Sequence, residues 1–231
     1  MADDVGMEPL TVATYNIHHG AGLDDAVDLD RIADAVCSTT AEIVGLQELD
    51  DGLERSGRTD QARHLAERLG REIAFFPTLE RHGGRYGMGI VTPEAVESHF
   101  ERLPRRGQEE PRGAIVARSG ALWIVVTHLS RDRFSRTAQT RALASIVGEL
   151  DGPVLVMGDF NQGAVGLDPL LEVGLASDGL HHSTMPRTGR MRKGRHIDHI
   201  LAGGGARIER CWTVESVGSD HLPLAAEVAL P

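Results

Sequence analysis

Lysine is nearly absent from this chain. Lys193 is the only one in 231 residues, so the positive charge is carried almost wholly by arginine. With 24 basic against 34 acidic side chains, the formal net charge is −10. Such a surface repels a phosphate backbone at long range, which argues against a processive DNA binder. Cleavage of a phosphodiester stays open, because a bound metal ion can invert the field at a site. Cysteine is scarce too. Cys37 and Cys211 are too few for a disulfide framework and lack metal-type spacing. They read as two buried thiols in a reducing compartment rather than a bridge. No apolar run is long enough to cross a bilayer, and the acidic MADDVGMEP start lacks the apolar stretch of a secretory signal. The expectation is a cytoplasmic protein without a membrane span. Aromatics make up only 4%, so the core must rest on Val, Ile, Leu and Ala. There is no internal repeat, no long low-complexity linker, and no Ser or Cys nucleophile motif.

What is present is ordinary for a globular protein: 41% hydrophobic and 25% charged residues. The length suits one domain or two small ones. The reading is a flexible tail over 1–9 and a single domain over 10–231. Apolar runs recur between turn signals and predict strands over Leu10–Ile17, Ile43–Leu46, Ile73–Pro77, Met88–Val91, Ala114–Ala117, Leu122–Leu129, Val154–Met157, Ile197–Leu201, Arg207–Val214 and Leu222–Ala229. Ser119-Gly120 reads as a hairpin turn. Helical spacing appears in Leu29, Ile32, Ala33 and Val36 behind a candidate N-cap, Asp28. It returns in Ala62, Leu65, Ala66 and Leu69, with Gly70 as a stop, and again from about Ser135 to Leu150. A short fourth helix is expected at Asp168-Pro169. Many strands with scattered helices predict an α/β fold: two mainly antiparallel sheets packed face to face with helices outside.

Polar residues recur where apolar strands end. Asn16 and His18 follow VATY, Glu48 follows IVGLQ, and His128 interrupts VVTHL. Asp159 and Asn161 follow VLVMG, Asp198 sits in HIDHIL, and Asp220-His221 precede LPLAAEV. An acid or imidazole in such a place costs stability unless it is paired or liganded. So many along one chain suggest a shared site. Its oxygen-rich ligands suit Mg²⁺ or Mn²⁺ better than zinc. His18, His19, His181 and His182 invite a zinc reading, but adjacent histidines diverge on a strand, and zinc is not expected.

The segments TYNIHHG, GLQELD, THL, GDFN, IDHI and SDHLPL, in that order, resemble the endonuclease/exonuclease/phosphatase superfamily. The set spans Tyr15 to Pro223. The resemblance implies a four-layered α/β sandwich and a metal-dependent phosphoesterase. It implies Glu48 as principal metal ligand, Asn16 beside that metal, and Asp220 as a second or outer ligand. His221 would contact the scissile phosphate or act as base, with Asp198 accepting its other ring N–H. Asp159 would orient or deprotonate the attacking water. Asn161 would hold a phosphate oxygen, and His128 would hydrogen-bond the phosphate or assist the leaving oxygen. The wording around RSGRTDQ and EPRGA resembles small bacterial hydrolases of the superfamily rather than its dedicated nucleases.

The rim is less legible. Arg112 resembles an arginine at the edge of the family's site, with a surface salt bridge as the competing reading. Arg55, Ser56, Asp60 and Gln61 follow the glutamate strand and read as shaping the pocket, with a helix-capping role for Thr59-Asp60 as the competing reading. Arg187, Arg190, Arg192, Lys193 and Arg195 form the only basic run, read as an anion-steering loop. His199 is expected to face away. Leu49-Asp50 stands where nucleases often carry a basic residue, and Met88 where a polar one is common. The expected activity is hydrolysis of a small or lipid-like phosphate ester by a monomer with no obligate protein partner. DNA or RNA cleavage is the less favoured alternative, and a non-catalytic binding module is the alternative of another class.

Overall fold

A computed structural model of the chain describes residues 9–177, 183–185 and 194–231. One sheet contains β1 (Leu10–Asn16), β2 (Ile43–Asp51), β3 (Glu72–Arg81), β4 (Gly84–Thr92), β10 (Arg207–Thr213) and β11 (Leu224–Ala229), in the order β10-β11-β1-β2-β4-β3. The other contains β5 (Glu97–Arg102), β6 (Gly113–Ser119), β7 (Leu122–His128), β8 (Val154–Asp159) and β9 (Asp198–Gly203), in chain order. Only the β1–β2 and β7–β8 pairings are parallel, so both sheets are mixed but mainly antiparallel, as the strand pattern predicts.

Four layers follow from where the apolar side chains go. Val12, Ile90, Ile124, Met157 and Leu224 fill the space between the sheets. The opposite face of the first sheet presents Tyr15, Val44 and Leu46 to Ile32 and Val36 of α1 (Leu29–Ser38) and to Leu65 of α2 (Gln61–Leu69). The outer face of the second sheet presents Val116, Val125 and Val156 to Leu143 and Val147 of α3 (Arg133–Gly148) and to Leu170 of α4 (Asp168–Glu172). Burial on both faces explains why VLVM and WIVV are continuous apolar runs rather than alternating ones.

The helices stop and start where capping chemistry dictates. Asp28 accepts from the backbone N–H of Asp30 and Arg31. Asp60 accepts from Arg63 N–H and so is the cap of α2, not a pocket residue, and Gly70 closes that helix at φ 63°. Pro169 occupies the first turn of α4.

Two expectations change. β5 was not anticipated, because ESHFER is an exposed edge strand whose apolar content is essentially Phe100. The cysteines are not buried: Cys37 is exposed on α1 and Cys211 half-buried on β10, and neither forms a disulfide. Residues 1–8 of the expected tail, His181, His182 and the basic run up to Lys193 lie outside the described residues. Among those described, no helix is long and apolar enough to cross a membrane.

Candidate active site

Each sheet contributes one parallel β-α-β unit, β1-α1-β2 in the first and β7-α3-β8 in the second. The polar side chains gather at the C-terminal ends of these strands. Asn16 ends β1 and Glu48 lies in β2, while His128 and Asp159 are direct neighbours at the ends of β7 and β8. Asp198 opens the antiparallel β9 opposite Asp159. His221 arrives on the segment before β11, where the Ser219 hydroxyl donates to Asn16 O and accepts from His221 N–H.

Backbone strain marks the same places. Glu48, His18, His19 and Asn161 have φ between 46° and 64°, the left-handed region that side chains other than glycine avoid. At Glu48 the β2–β4 register slips by one residue, a bulge that re-aims the side chain. Gly158 shows the converse constraint. A methyl group there would sit 1.9 Å from Thr127 O, so only glycine lets β8 bring Asp159 beside β7.

The buried centre is a connected network. His221 Nδ1 lies 2.8 Å from Asp198 Oδ2, and His221 Nε2 lies 3.9 Å from Asp159 Oδ2. His128 Nε2 is 3.4 Å from the same Asp159 oxygen. The Asn16 amide nitrogen donates to Glu48 Oε1 at 3.0 Å and to Asp159 Oδ2 at 3.1 Å, tying the two sheets together. Asn16 Oδ1 accepts from His18 N–H. Asn161 N–H donates to Asp159 Oδ1 at 2.8 Å, and its side-chain amide donates to Leu129 O.

Electrostatics divide the roles. Burial alone lowers the His221 pKa, but Asp198 first, then Asp159 and Asp220, lift it to about 10. Asp159 is pushed up to about 7 by burial and by the Asp198 charge, against the pull of His221. His128 goes the other way, held well below 6.5 by burial and by Arg112, His221 and Arg131. Arg112 Nη1 lies 2.8 Å from His128 Nδ1 and can only donate, so the neutral ring carries its proton on Nε2, facing Asp159.

The cleft over this centre has a volume of about 270 Å³ and is lined by Glu48, Arg112, His128, Asp159, Asn161, Asp220 and His221, among others. It therefore brings together all the site residues picked out in the sequence except Asn16 and Asp198, which lie beneath it. Arg55 and Arg195 also reach it. Arg55 is already committed: its guanidinium holds buried Asp50 at 2.8 and 2.7 Å, with Ser56 on the same carboxylate. Gln61 accepts from Asp50 N–H and donates to His19 O, so Ser56 and Gln61 brace the rim rather than face the cleft. Arg112 faces the cleft, and because its side chain is buried its 3.0 Å pairing with Glu110 is not the surface salt bridge of the competing reading. His199 faces away as expected, against Phe160 and His196, with Nε2 on Gln162 O.

Four polar lining residues carry no signal of their own in the sequence, Tyr86, Glu110, Arg81 and Arg131, nor does the apolar Met185. Tyr86 lies between Arg55 and Arg112, and burial pushes its phenol well above 10.

Asp159, Asp198 and His221 each offer an atom within 4.8 Å of the others, a group that could hold a metal ion. One oxygen of this group, Asp198 Oδ1, is buried without a hydrogen-bond partner. Asp220 is half-buried at the mouth, 3.9 Å from His18 Nδ1.

Residues 13–221 match the model of the Endonuclease/Exonuclease/phosphatase family. No curated protein matches the chain. Among solved structures, it is similar to an endonuclease/exonuclease/phosphatase from Beutenbergia cavernae, with 20% identity, a TM-score of 0.80, and coverage of 97% of this chain and 72% of that one. The mannosyl-6-phosphatase of Bacteroides thetaiotaomicron aligns at 20% identity and a TM-score of 0.73, over 95% of this chain and 99% of its own. TDP2 of D. rerio, complexed with a single-strand DNA product, aligns at 18% identity and a TM-score of 0.72, over 95% and 98%. At these identities the likenesses establish the four-layered fold.

Proposed function

Because the chain belongs to the Endonuclease/Exonuclease/phosphatase family, whose members are metal-dependent phosphoesterases and nucleases, we propose that it hydrolyses a phosphate ester of a small or lipid-like molecule with Mg²⁺ or Mn²⁺. The observation that carries this reading is the buried Asp198–His221–Asp159 network flanked by the neutral Nε2–H of His128. It holds a cation, a base poised near neutral pH and a hydrogen-bond donor around one space.

Phosphoryl transfer asks for in-line water, neutralised equatorial oxygens and a stabilised leaving group. Asp159, with its pKa near 7, orients the water and takes its proton. His221 is held as imidazolium by Asp198, so it contacts the phosphate as a cation rather than acting as base. The second amide hydrogen of Asn161 and the Nε2–H of His128 are the donors for phosphate oxygens. His128 is too strongly held neutral to be a proton donor to the leaving group, and hydrogen bonding is its better role.

When bound, a metal ion would supply Lewis-acid stabilisation of the developing charge. Carboxylates and an amide are a donor set that suits a hard cation. Glu48 and Asp220, with Asn16 beside them, are the set that would hold it. The Asp159–Asp198–His221 group is the poorer fit, because a protonated His221 has no lone pair to give. Asn16, whose amide nitrogen reaches Glu48 and Asp159 and whose oxygen accepts from His18 N–H, would hold the Glu48 carboxylate in place beside the cation.

Nucleic-acid cleavage is the second reading, and the net charge of −10 weighs against it. We place the enzyme in the cytoplasm as a monomer whose domain runs over 10–231. Steady-state assays of p-nitrophenyl phosphate and bis-(p-nitrophenyl) phosphate test the mechanism. Asp159→Ala and His221→Ala should each lower kcat by roughly 10³-fold or more while circular dichroism stays native. Unchanged turnover in both variants refutes it.

A further inference from the structure

Three guanidinium groups at the mouth of the cleft have no part in the chemistry above. Arg81 ends β3, Arg131 follows β7 and Arg195 precedes β9, so three separate segments deliver cations to one opening. All three are exposed, and among the described residues none makes a side-chain hydrogen bond or ion pair. Arg55 and the buried Arg112, which line the same cleft, are instead matched to Asp50 and Glu110. Several arginines elsewhere on this acidic surface find carboxylates, as Arg31 does with Asp24, Arg68 with Asp30 and Asp34, and Arg210 with Glu227, whereas others such as Arg102 and Arg207 find none among the described residues; what sets the three apart is their convergence on one cleft. The charge of Arg131 is felt at His128, and that of Arg195 at Arg136, which reaches Ser130 O and Gln162 beside the site. The mouth cations therefore stand close to the reacting centre without belonging to it. The cleft of about 270 Å³ is lined by these three arginines and by the buried centre alike, so a single ligand can reach both.

We propose that the substrate carries a second anionic group, set apart from the reacting phosphate, and that Arg81, Arg131 and Arg195 bind it at the mouth. Guanidinium suits the task, since its fork matches phosphate and carboxylate alike and keeps its charge at any working pH. The inference rests on the phosphoesterase reading for the position of the first anion. It narrows the substrate class to doubly anionic small molecules, such as bisphosphates or phosphorylated acids.

Calorimetric titration of the protein in excess Mg²⁺ tests this without requiring turnover. The probes are propane-1,3-diphosphonate, 4-phosphonobutyrate and, as singly anionic control, propylphosphonate. At least one doubly anionic probe should bind tenfold or more tightly than the control, and the stronger of the two names the second anion. An Arg81→Gln/Arg131→Gln double variant should lose that preference while circular dichroism stays native. Arg102→Gln/Arg207→Gln, which removes two exposed arginines outside the cleft, should retain it. Equal binding of all three probes, a preference that survives loss of Arg81 and Arg131, or the same loss in the control variant overturns the proposal. Preferential binding without ester turnover would preserve it and remove the reading it builds on; turnover without preference would do the reverse.

Discussion

At the residue scale, the proposed site assigns opposite protonation states to two histidines that flank the same Asp159 oxygen. Asp198 makes His221 a cation, and Arg112 keeps His128 neutral with its proton on Nε2. The folded pKa of His221, about 10, lies above the ordinary 6.5. Its contribution to stability is therefore complete below pH 6.5 and is lost as pH rises through 10. NMR titration of the metal-free protein should find His221 still protonated at pH 8. In Asp198→Asn its pKa should fall toward or below 6.5; an imidazolium retained there would show that Asp198 is not the cause. Arg112→Ala should lower kcat by about tenfold to a hundredfold, because the Nε2–H tautomer of His128 is then no longer enforced. Unchanged kcat would remove Arg112 from the mechanism. The sequence made the acids and imidazoles legible, because an ionisable residue at the end of an apolar strand needs a partner. It did not make legible how they are supported. Asp50 reads as a departure from nuclease practice, yet it is the buried anchor of Arg55 and Ser56.

Elements position these residues through parallel pairing. A β-α-β unit in each sheet points its strand ends to the same rim, and short-range constraints set the last ångström. Gly158→Ala should destabilise the fold by about 2 kcal/mol or more, since a methyl group there meets Thr127 O and the strand pair must separate. A melting temperature matching that of the wild type would mean that β8 can shift without cost. Asp132→Ala removes the cap of α3, which accepts from Phe134 and Ser135 N–H, and should cost about 1 kcal/mol without changing kcat. Thermal melts with parallel assays separate the two effects. Helical periodicity announces α1 and α2 in the sequence, and apolar runs announce β1 and β8. The exposed edge strand β5 was silent because its residues make so little core. The apolar pattern predicts an end at Leu46, although β2 runs on to Asp51 through the Glu48 bulge. A bulge is a local departure from period two, so hydrophobic pattern alone cannot place it.

For the whole molecule, the contrast is between an acidic surface and a cleft ringed by arginine. The net charge of −10 disfavours long polyanions, whereas the cations at the mouth favour a small one that can enter. Fold and family were accessible from the ordered motifs, but the substrate was not, since rim residues such as Arg81 and Arg131 have no spacing that marks them. The most direct measurement is a side-by-side rate assay of p-nitrophenyl phosphate, bis-(p-nitrophenyl) phosphate and supercoiled plasmid with Mg²⁺, Mn²⁺ and EDTA. The account predicts turnover of at least one small ester, lost in EDTA and restored by either cation, with plasmid left largely intact. Rapid plasmid nicking with no small-ester turnover, or ester hydrolysis indifferent to EDTA, would contradict it.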